Sequence, residues 1–171
     1  MKLPVTALGT NGIEVGVQGL GCMGMSEFYG PSDLTESRAT LERALELGIT
    51  LFDTADVYGS GHNEEFLSDF LRGHRDRVVL ATKFGIVRKA EDPAFRGFDN
   101  SPEYIRKSVD SSLQRLGVEV IDLYYMHRRD PRVPIEDTVG AMAELVGQGK
   151  VRALGLSEVT GDELRAAHAV H

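Results

Sequence analysis

Short apolar runs alternate with longer helical patterns along most of this chain, and this alternation limits the possible folds more than any other feature. Five apolar runs predict buried strands, at residues 17–22, 49–52, 77–84, 120–127 and 150–157. A helical pattern follows each run, at residues 32–48, 63–71, 101–117, 134–146 and 160–171. Strands that alternate with helices form a parallel sheet, because each right-handed crossover returns the chain to the same end of the sheet. The sequence therefore predicts an α/β fold.

Two arrangements of such a sheet stay open, a doubly wound sheet and a (β/α)8 TIM barrel. The barrel is favoured because polar residues gather at successive strand ends and no dinucleotide-type glycine fingerprint follows the first strand. A closed barrel needs about 250 residues, whereas this chain has 171. We therefore expect residues 1–171 to form a single domain, an incomplete barrel of about five βα units. Its open sheet edges would favour self-association.

Turn and cap signals give the local predictions. Asn11-Gly12, between short apolar runs, predicts a β-hairpin at residues 5–16 that precedes the first unit. Residues 85–100 are polar and too irregular to be assigned to a helix or a strand. Predicted helix starts are Asn63 as an N-cap, Ser101-Pro102-Glu103, and a capping box from Thr160 to Glu163.

Composition and charge exclude several classes of function. Apolar residues make up 42% of the chain and charged residues 26%, which is typical of a globular domain. The net charge is -7, from 19 basic and 26 acidic residues. This charge argues against electrostatic binding of nucleic acid or of an anionic membrane over a broad surface.

The single cysteine, Cys22, excludes an internal disulfide, and the His and Cys spacings match no zinc finger, so we expect no metal site. No apolar run approaches the ~20 residues of a membrane span, and the N-terminus lacks the apolar core of a signal peptide. We expect a cytoplasmic protein.

The stretch GITLFDTADVYG, residues 48–59, carries the first candidate site residues. It is typical of a buried strand that ends in a polar loop with Asp53 and Tyr58. A carboxylate and a phenol at a strand end are candidates for proton transfer. The alternative is structural, because Asp53 could cap the loop and Tyr58 could pack beneath a helix.

Three other features can likewise be interpreted as part of a site or as purely structural. Lys83 ends the third strand, either as a site residue or as a lysine that snorkels at the rim of the sheet. His127 ends the fourth strand, either as a site residue or as a packing residue. The loop Gly21-Cys22-Met23 after the first strand allows either a close backbone approach to a ligand or simply a tight turn.

Together these motifs resemble the aldo-keto reductase family. The resemblance rests on FDTADVYG with Asp53 and Tyr58, LATKFG with Lys83, and DLYYMHRRDP with His127. It extends from LGTNGIEV through GLGCMGM to GKVRALGLSE and covers nearly the whole chain. HRRDP combined with PIEDTVGAMAELV is similar to the bacterial and plant branch of the family.

The resemblance implies reduction of a small aldehyde or ketone, with NADPH supplying the hydride and Tyr58 acting as general acid. A free phenol has a pKa near ~10. The Lys83 ammonium is expected to lower that pKa, and Asp53 to hold Lys83 in place. His127 is expected to orient the substrate oxygen.

The resemblance also implies contacts to the cofactor. Gly21, Cys22, Met23 and Asp53 are expected near the nicotinamide ribose, and Ser157 with its neighbour near the carboxamide. That neighbour is Glu158, where many members of the family have asparagine.

Family members hold the cofactor phosphates through later barrel units, which lie beyond His171. We therefore expect these 171 residues alone to bind NADPH weakly or not at all. The alternative function is a non-catalytic half-barrel that self-associates or binds a partner.

Overall fold

The computed structural model describes residues 3–10, 12–89 and 91–171. An antiparallel hairpin comes first, made of β1 (Val5–Leu8) and β2 (Ile13–Gly16). It lies at the amino-terminal ends of the sheet strands, where the backbone N–H of Gly16 donates to Thr50 Oγ1 at 2.8 Å. The hairpin prediction is confirmed, although Asn11 itself lies outside the described residues.

Alternating strands and helices follow the hairpin. In chain order they are β3 (Gly19–Gly21), α1 (Leu34–Leu47), β4 (Leu51–Asp53), α2 (His62–His74), β5 (Val79–Phe84), β6 (Ile86–Lys89), β7 (Asp92–Phe98), α3 (Pro102–Leu116), β8 (Ile121–Met126), α4 (Ile135–Gly147), β9 (Val151–Leu156) and α5 (Gly161–His168). Short 3-10 turns lie at Met23–Met25, Tyr58–Gly61 and Arg75–Arg77.

The central sheet has the strand order of a barrel. Its five parallel strands are ordered β3-β4-β5-β8-β9, so each strand pairs with the next sheet strand along the chain. A doubly wound sheet would instead reverse its order at a switch point. The prediction of a partial (β/α)8 barrel is confirmed. Within the described residues, β3 and β9 each have a strand neighbour on one side only.

Large apolar side chains between the sheet and its helices form the main core. Phe52, Leu80, Tyr124 and Met126 come from successive strands and are fully buried. Each such side chain contributes about 1.5–3 kcal/mol relative to an exposed one. No helix in the described part of the chain is long and apolar enough to cross a membrane.

A buried carboxylate joins three strands at the end of the sheet opposite the candidate site. Asp122 on β8 accepts a hydrogen bond from the backbone of Leu80 on β5 at 2.8 Å. Its two oxygens also pair with Arg75 and with Arg152 of β9, each at 2.8 Å. Because every partner is charged or a backbone donor, the buried charge is well compensated.

Helix boundaries follow local sequence signals in most places. Ser101 caps α3 by accepting from the backbone N–H of Tyr104, and Thr160 and Glu163 form the expected capping box of α5. Gly48 and Gly117 end α1 and α3 in the left-handed conformation, at φ 97° and 66°. The last helix ends at His168, three residues before the predicted end, His171.

Two local predictions were wrong. Residues 85–100 are not an irregular loop, because β6 and β7 pair there as an antiparallel hairpin with Ile86 opposite Phe98. Asn63 does not cap α2, since the helix begins at His62 after Gly61. The Asn63 side chain is fully buried and bonds to other loops instead.

Candidate active site

The four polar residues predicted at the strand ends meet at the carboxyl-terminal face of the sheet. The Lys83 ammonium lies 2.5 Å from Asp53 Oδ1 and 3.4 Å from the Tyr58 hydroxyl. The rings of Tyr58 and His127 meet edge to face, with centroids 5.7 Å apart. Residues from three neighbouring strands and one loop therefore form a single cluster.

The backbone explains why Asp53 and Tyr58 face this cluster. Strand β4 ends at Asp53, but the chain stays against β5, because Thr54 donates to Ala81 O at 2.9 Å and Asp56 to Lys83 O at 3.1 Å. The following turn is tight, with Gly59 and Ser60 both at φ 56°. This path returns Tyr58 over the end of β5.

Lys83 is fixed by three acceptors. Besides Asp53 and Tyr58, its ammonium donates to the backbone oxygen of Thr54 at 2.7 Å. An ammonium has three donors, so all of them are directed at this cluster. The side chain is only 12% exposed, which rules out the interpretation of Lys83 as a snorkelling lysine at the rim.

The pKa of Tyr58 lies above its ordinary value rather than below it. Burial raises the pKa of the phenol to about 12, with a further increase from the Asp53 carboxylate and an opposing effect from Arg128. The expected net lowering of this pKa is therefore wrong for this arrangement, because burial outweighs any effect of the nearby Lys83 ammonium. Asp53, which pairs with Lys83, offsets the lysine charge. Tyr58 consequently keeps its proton throughout the physiological pH range.

His127 is neutral at the same pH. Burial, Lys83 and Arg128 lower the pKa of its imidazole to about 4. Its Nδ1 is buried and has no hydrogen-bond partner among the described residues. A neutral imidazole has one donor and one acceptor nitrogen, so this ring can orient an oxygen without carrying a charge.

Asp53 is more basic than an exposed aspartate. Burial raises the pKa of its carboxyl group, although its ion pair with Lys83 acts in the opposite direction. The ion pair is short and the lysine is held by several partners, so the carboxylate and the ammonium form one fixed unit.

Arg128 is a site residue that the sequence reasoning missed. Its guanidinium donates to the backbone oxygen of His127 at 2.7 Å and to Ser157 Oγ at 3.3 Å. It also pairs with Glu158 at 2.9 Å. Arg128 thus connects the ends of β8 and β9. Its position directly after His127, the last residue of the predicted fourth strand, was the available signal.

The Gly21-Cys22-Met23 turn lies beside Asp53. Gly21 is opposite Asp53 in the sheet register, and Cys22 donates its backbone N–H to Asp53 O at 2.8 Å. A Cβ atom on Gly21 would meet no described atom within 4 Å, so this face of the turn is open to a ligand. Met23 packs against Ala55, Val57 and Tyr58.

The side chain of Cys22 faces the core. It is 0% exposed, and burial raises the pKa of its thiol to about 12. A buried protonated thiol is a poor nucleophile. Any ligand contact of Cys22 therefore comes from its backbone.

Asn63 is a second residue whose role the sequence did not reveal. Its amide accepts from Thr54 Oγ1 at 2.6 Å and donates to Cys22 O at 2.9 Å and to Ser26 Oγ at 2.7 Å. These bonds fix the turn after β3 to the end of β4. Asn63 therefore holds together the two segments that carry Cys22 and Asp53.

Metal chemistry has no visible site in the described residues. Within residues 3–10, 12–89 and 91–171, no group of three or more His, Cys, Asp or Glu side chains is arranged to hold a metal ion.

Comparison with known proteins gives a consistent result. The sequence profile of the Aldo/keto reductase family matches residues 19–170. A probable aldo-keto reductase 1 from Glycine max is 46% identical, over 96% of this chain and 47% of its own length.

Solved structures of the same family are similar to this chain in fold. An aldo-keto reductase from Bacillus halodurans, in its holo form, superposes with a TM-score of 0.85 at 36% identity, over 95% of this chain and 53% of its own. An aldo/keto reductase from Klebsiella pneumoniae, solved with NADP and acetate, gives a TM-score of 0.69 at 31% identity, over 90% of this chain and 49% of its own.

The chain thus spans about half the length of these relatives. The match of the family profile includes Asp53, Tyr58, Lys83 and His127. From this match, the chain belongs to the aldo/keto reductase family.

Proposed function

We propose that this site reduces aldehydes or ketones to alcohols with NADPH, using Tyr58 as the proton donor. The observation that carries the proposal is the Lys83 ammonium, which contacts both Asp53 Oδ1 and the Tyr58 hydroxyl while His127 lies against the same ring. A carbonyl oxygen placed between Tyr58 and His127 would meet two neutral hydrogen-bonding groups.

Each residue has a distinct role in this proposal. When bound, NADPH supplies the hydride. Tyr58, protonated because its pKa is raised to about 12, donates its proton as the substrate oxygen gains negative charge. Lys83 lies close enough to stabilise the phenolate that remains, and Asp53 holds Lys83. His127 orients the oxygen through its neutral ring.

The residues that we propose to hold the cofactor suit its nicotinamide end. Gly21, Cys22 and Met23 offer an open backbone face beside Asp53, whose carboxylate can accept from a ribose hydroxyl. Ser157 offers a hydroxyl for the carboxamide. NADP in the Klebsiella relative supports this choice of cofactor.

Glu158 fits this role less well. It pairs with Arg128 at 2.9 Å and lies in the left-handed conformation at φ 53°. None of the six proposed cofactor residues is a cation, so the set offers no positive charge to the phosphates. We therefore predict that the 171-residue chain alone binds NADPH weakly or not at all. Tight binding in a fluorescence titration would contradict this prediction.

Replacing Tyr58 by phenylalanine tests the proposed chemistry. The assay measures the loss of NADPH absorbance in the presence of an aldehyde. It uses the chain alone and the chain joined to the C-terminal half of the Bacillus halodurans relative. Loss of the proton donor should reduce the rate by a factor of about 10² to 10⁴. Tyr29→Phe, at an exposed tyrosine, is the matched control. Undiminished turnover in Tyr58→Phe contradicts the proposal.

A second candidate function is assembly, because the sheet has open edges. Strands β3 and β9 each lack one strand neighbour within the described residues. Beside β9, an apolar cavity of about 370 Å³ is lined by residues that include Val139, Leu154 and Leu156. Unpaired strands and apolar grooves favour association.

We propose that the chain self-associates through these edges when it is alone, as a half-barrel with or without catalytic activity. Sedimentation should show a species larger than the 18.7 kDa monomer. A monodisperse monomer contradicts this proposal without affecting the proposed reaction. A cytoplasmic location also remains a proposal, supported by the single buried cysteine.

A further inference from the structure

A second cavity lies beside the Tyr58 turn, where Asp56, Val57 and Ser60 line it. It measures about 620 Å³ and lies against β6 and α3. Its polar wall includes Asp56, Ser60, Arg88, Tyr104, Ser108 and Ser111. None of Asp53, Tyr58, Lys83 and His127 lines it. The volume is within the range of small-molecule sites, about 300–1,000 Å³. We call it the Asp56 cavity.

Two residues that line this cavity each have a buried polar atom with no partner among the residues that the structure describes. These atoms are Asp56 Oδ1 and Arg88 Nε. An unpaired buried acceptor or donor costs about 1–3 kcal/mol. A ligand that donates to the first atom and accepts from the second would recover part of that cost.

Both side chains are held in place by their other atoms. Asp56 Oδ2 accepts from Ser108 Oγ at 3.0 Å. The two terminal nitrogens of Arg88 donate to the two carboxylate oxygens of Glu27, each at 2.9 Å. Neither group can turn to find another partner without breaking these bonds, so the unpaired atoms are preorganised.

The charges of the wall favour a neutral ligand. Arg88 pairs with Glu27, and Arg115, which also lines the cavity, pairs with the fully buried Glu64. Burial and Glu64 raise the pKa of Asp56 to about 7, so its carboxyl group is only partly ionised near neutral pH and attracts a cation weakly. Two lysines of the wall, Lys89 and Lys107, are exposed to solvent, which screens their charges.

The hydrogen-bonding groups favour hydroxyls. Ser60, Tyr104, Ser108 and Ser111 each contribute a hydroxyl to the wall. A ligand hydroxyl both donates and accepts, so it can satisfy Asp56 Oδ1 and Arg88 Nε as well as these groups. We propose that the Asp56 cavity binds a neutral small molecule with several hydroxyl groups, through Asp56 and Arg88.

Amide chemical shifts of the full 171-residue chain test this proposal. Sorbitol and myo-inositol are the probes, and inorganic phosphate tests for an anion site. We expect saturable shifts with a Kd of roughly millimolar order, at residues 86–88 and 108–111. Asp56→Ala should weaken binding at least about ten-fold, and Asp69→Ala, at a half-exposed aspartate of α2, should not.

A second variant keeps the test valid if Asp56→Ala does not fold. Arg88→Lys preserves the positive charge beside Glu27 but removes Nε, and should also weaken binding several-fold. The proposal fails if neither polyol gives saturable shifts up to about 100 mM, far above the expected Kd. It also fails if the shifts centre on Tyr58, Lys83 and His127, which would indicate alcohol binding at the candidate active site. Binding of phosphate without binding of either polyol would indicate an anion site and would contradict the proposal of a neutral ligand.

Discussion

Replacing Asp56 by asparagine should stabilise the protein, and more strongly at alkaline pH than at acidic pH. Burial, followed by the nearby Glu64, raises the pKa of Asp56 from 3.8 to about 7. A carboxyl group whose pKa is raised in the folded state contributes stability that is fully present below pH 3.8 and is lost as the pH rises through 7. Asparagine remains neutral throughout, so the variant avoids this loss.

The size of the effect follows from the two pKa values. The difference between 3.8 and about 7 corresponds to at most about 4 kcal/mol, at 1.36 kcal/mol per pH unit. Between pH 5 and pH 8, most of the loss in the free energy of unfolding occurs below pH 7, where the folded and unfolded states differ most in ionisation of Asp56. The stability advantage of Asp56→Asn over the parent should therefore grow by about 2–3 kcal/mol across that interval.

Urea unfolding at the two pH values measures this difference. The parent is compared with Asp56→Asn at each pH, which cancels the titration of groups common to both. Asp69→Asn is the matched control on α2, because Asp69 is 53% exposed and its ion pairs contribute little. An advantage that is the same at both pH values, or that shrinks as the pH rises, would refute the reasoning.

Two further predictions concern buried charge and imidazole titration. Asp122→Ala should destabilise the protein by about 1–3 kcal/mol in urea unfolding, because the buried backbone N–H of Leu80 loses its acceptor, whereas Arg75 and Arg152 are partly exposed to solvent; an unchanged free energy of unfolding contradicts this. His127 should titrate near pH 4 by NMR, and its contribution to stability, present above pH 6.5, should be lost as the pH falls through about 4. An observed pKa near 6.5 contradicts the burial argument.

The cluster could be predicted from the sequence because its position follows from the order and direction of the strands. Parallel strands end at one face, so Asp53, Lys83 and His127 were expected to meet once their strands were identified. The distances from Lys83 to Asp53 and Tyr58, and the contact between the Tyr58 and His127 rings, confirm that expectation. Their catalytic roles stay predictions, as does the single domain spanning residues 1–171.

The errors concern features that depend on the folded chain rather than on residue type. Ile86 pairs with Phe98 across β6 and β7, but the polar residues between them concealed the hairpin. Asn63 stands where a helix cap is common, and only the folded loops supply Cys22 O and Thr54 as its partners. The raised pKa of Tyr58 depends on burial, which residue type alone does not reveal.

Transfer of deuterium from labelled NADPH to a carbonyl carbon tests the central claim most directly. The chain, alone and joined to the C-terminal half of the Bacillus halodurans relative, is incubated with an aldehyde and NADPH deuterated at the reactive nicotinamide carbon. Mass spectrometry then examines the alcohol. We predict one deuterium on the former carbonyl carbon, with formation of this product strongly reduced in the Tyr58→Phe variant. Absence of labelled alcohol from both proteins, or equal yields with Tyr58→Phe, would contradict the account.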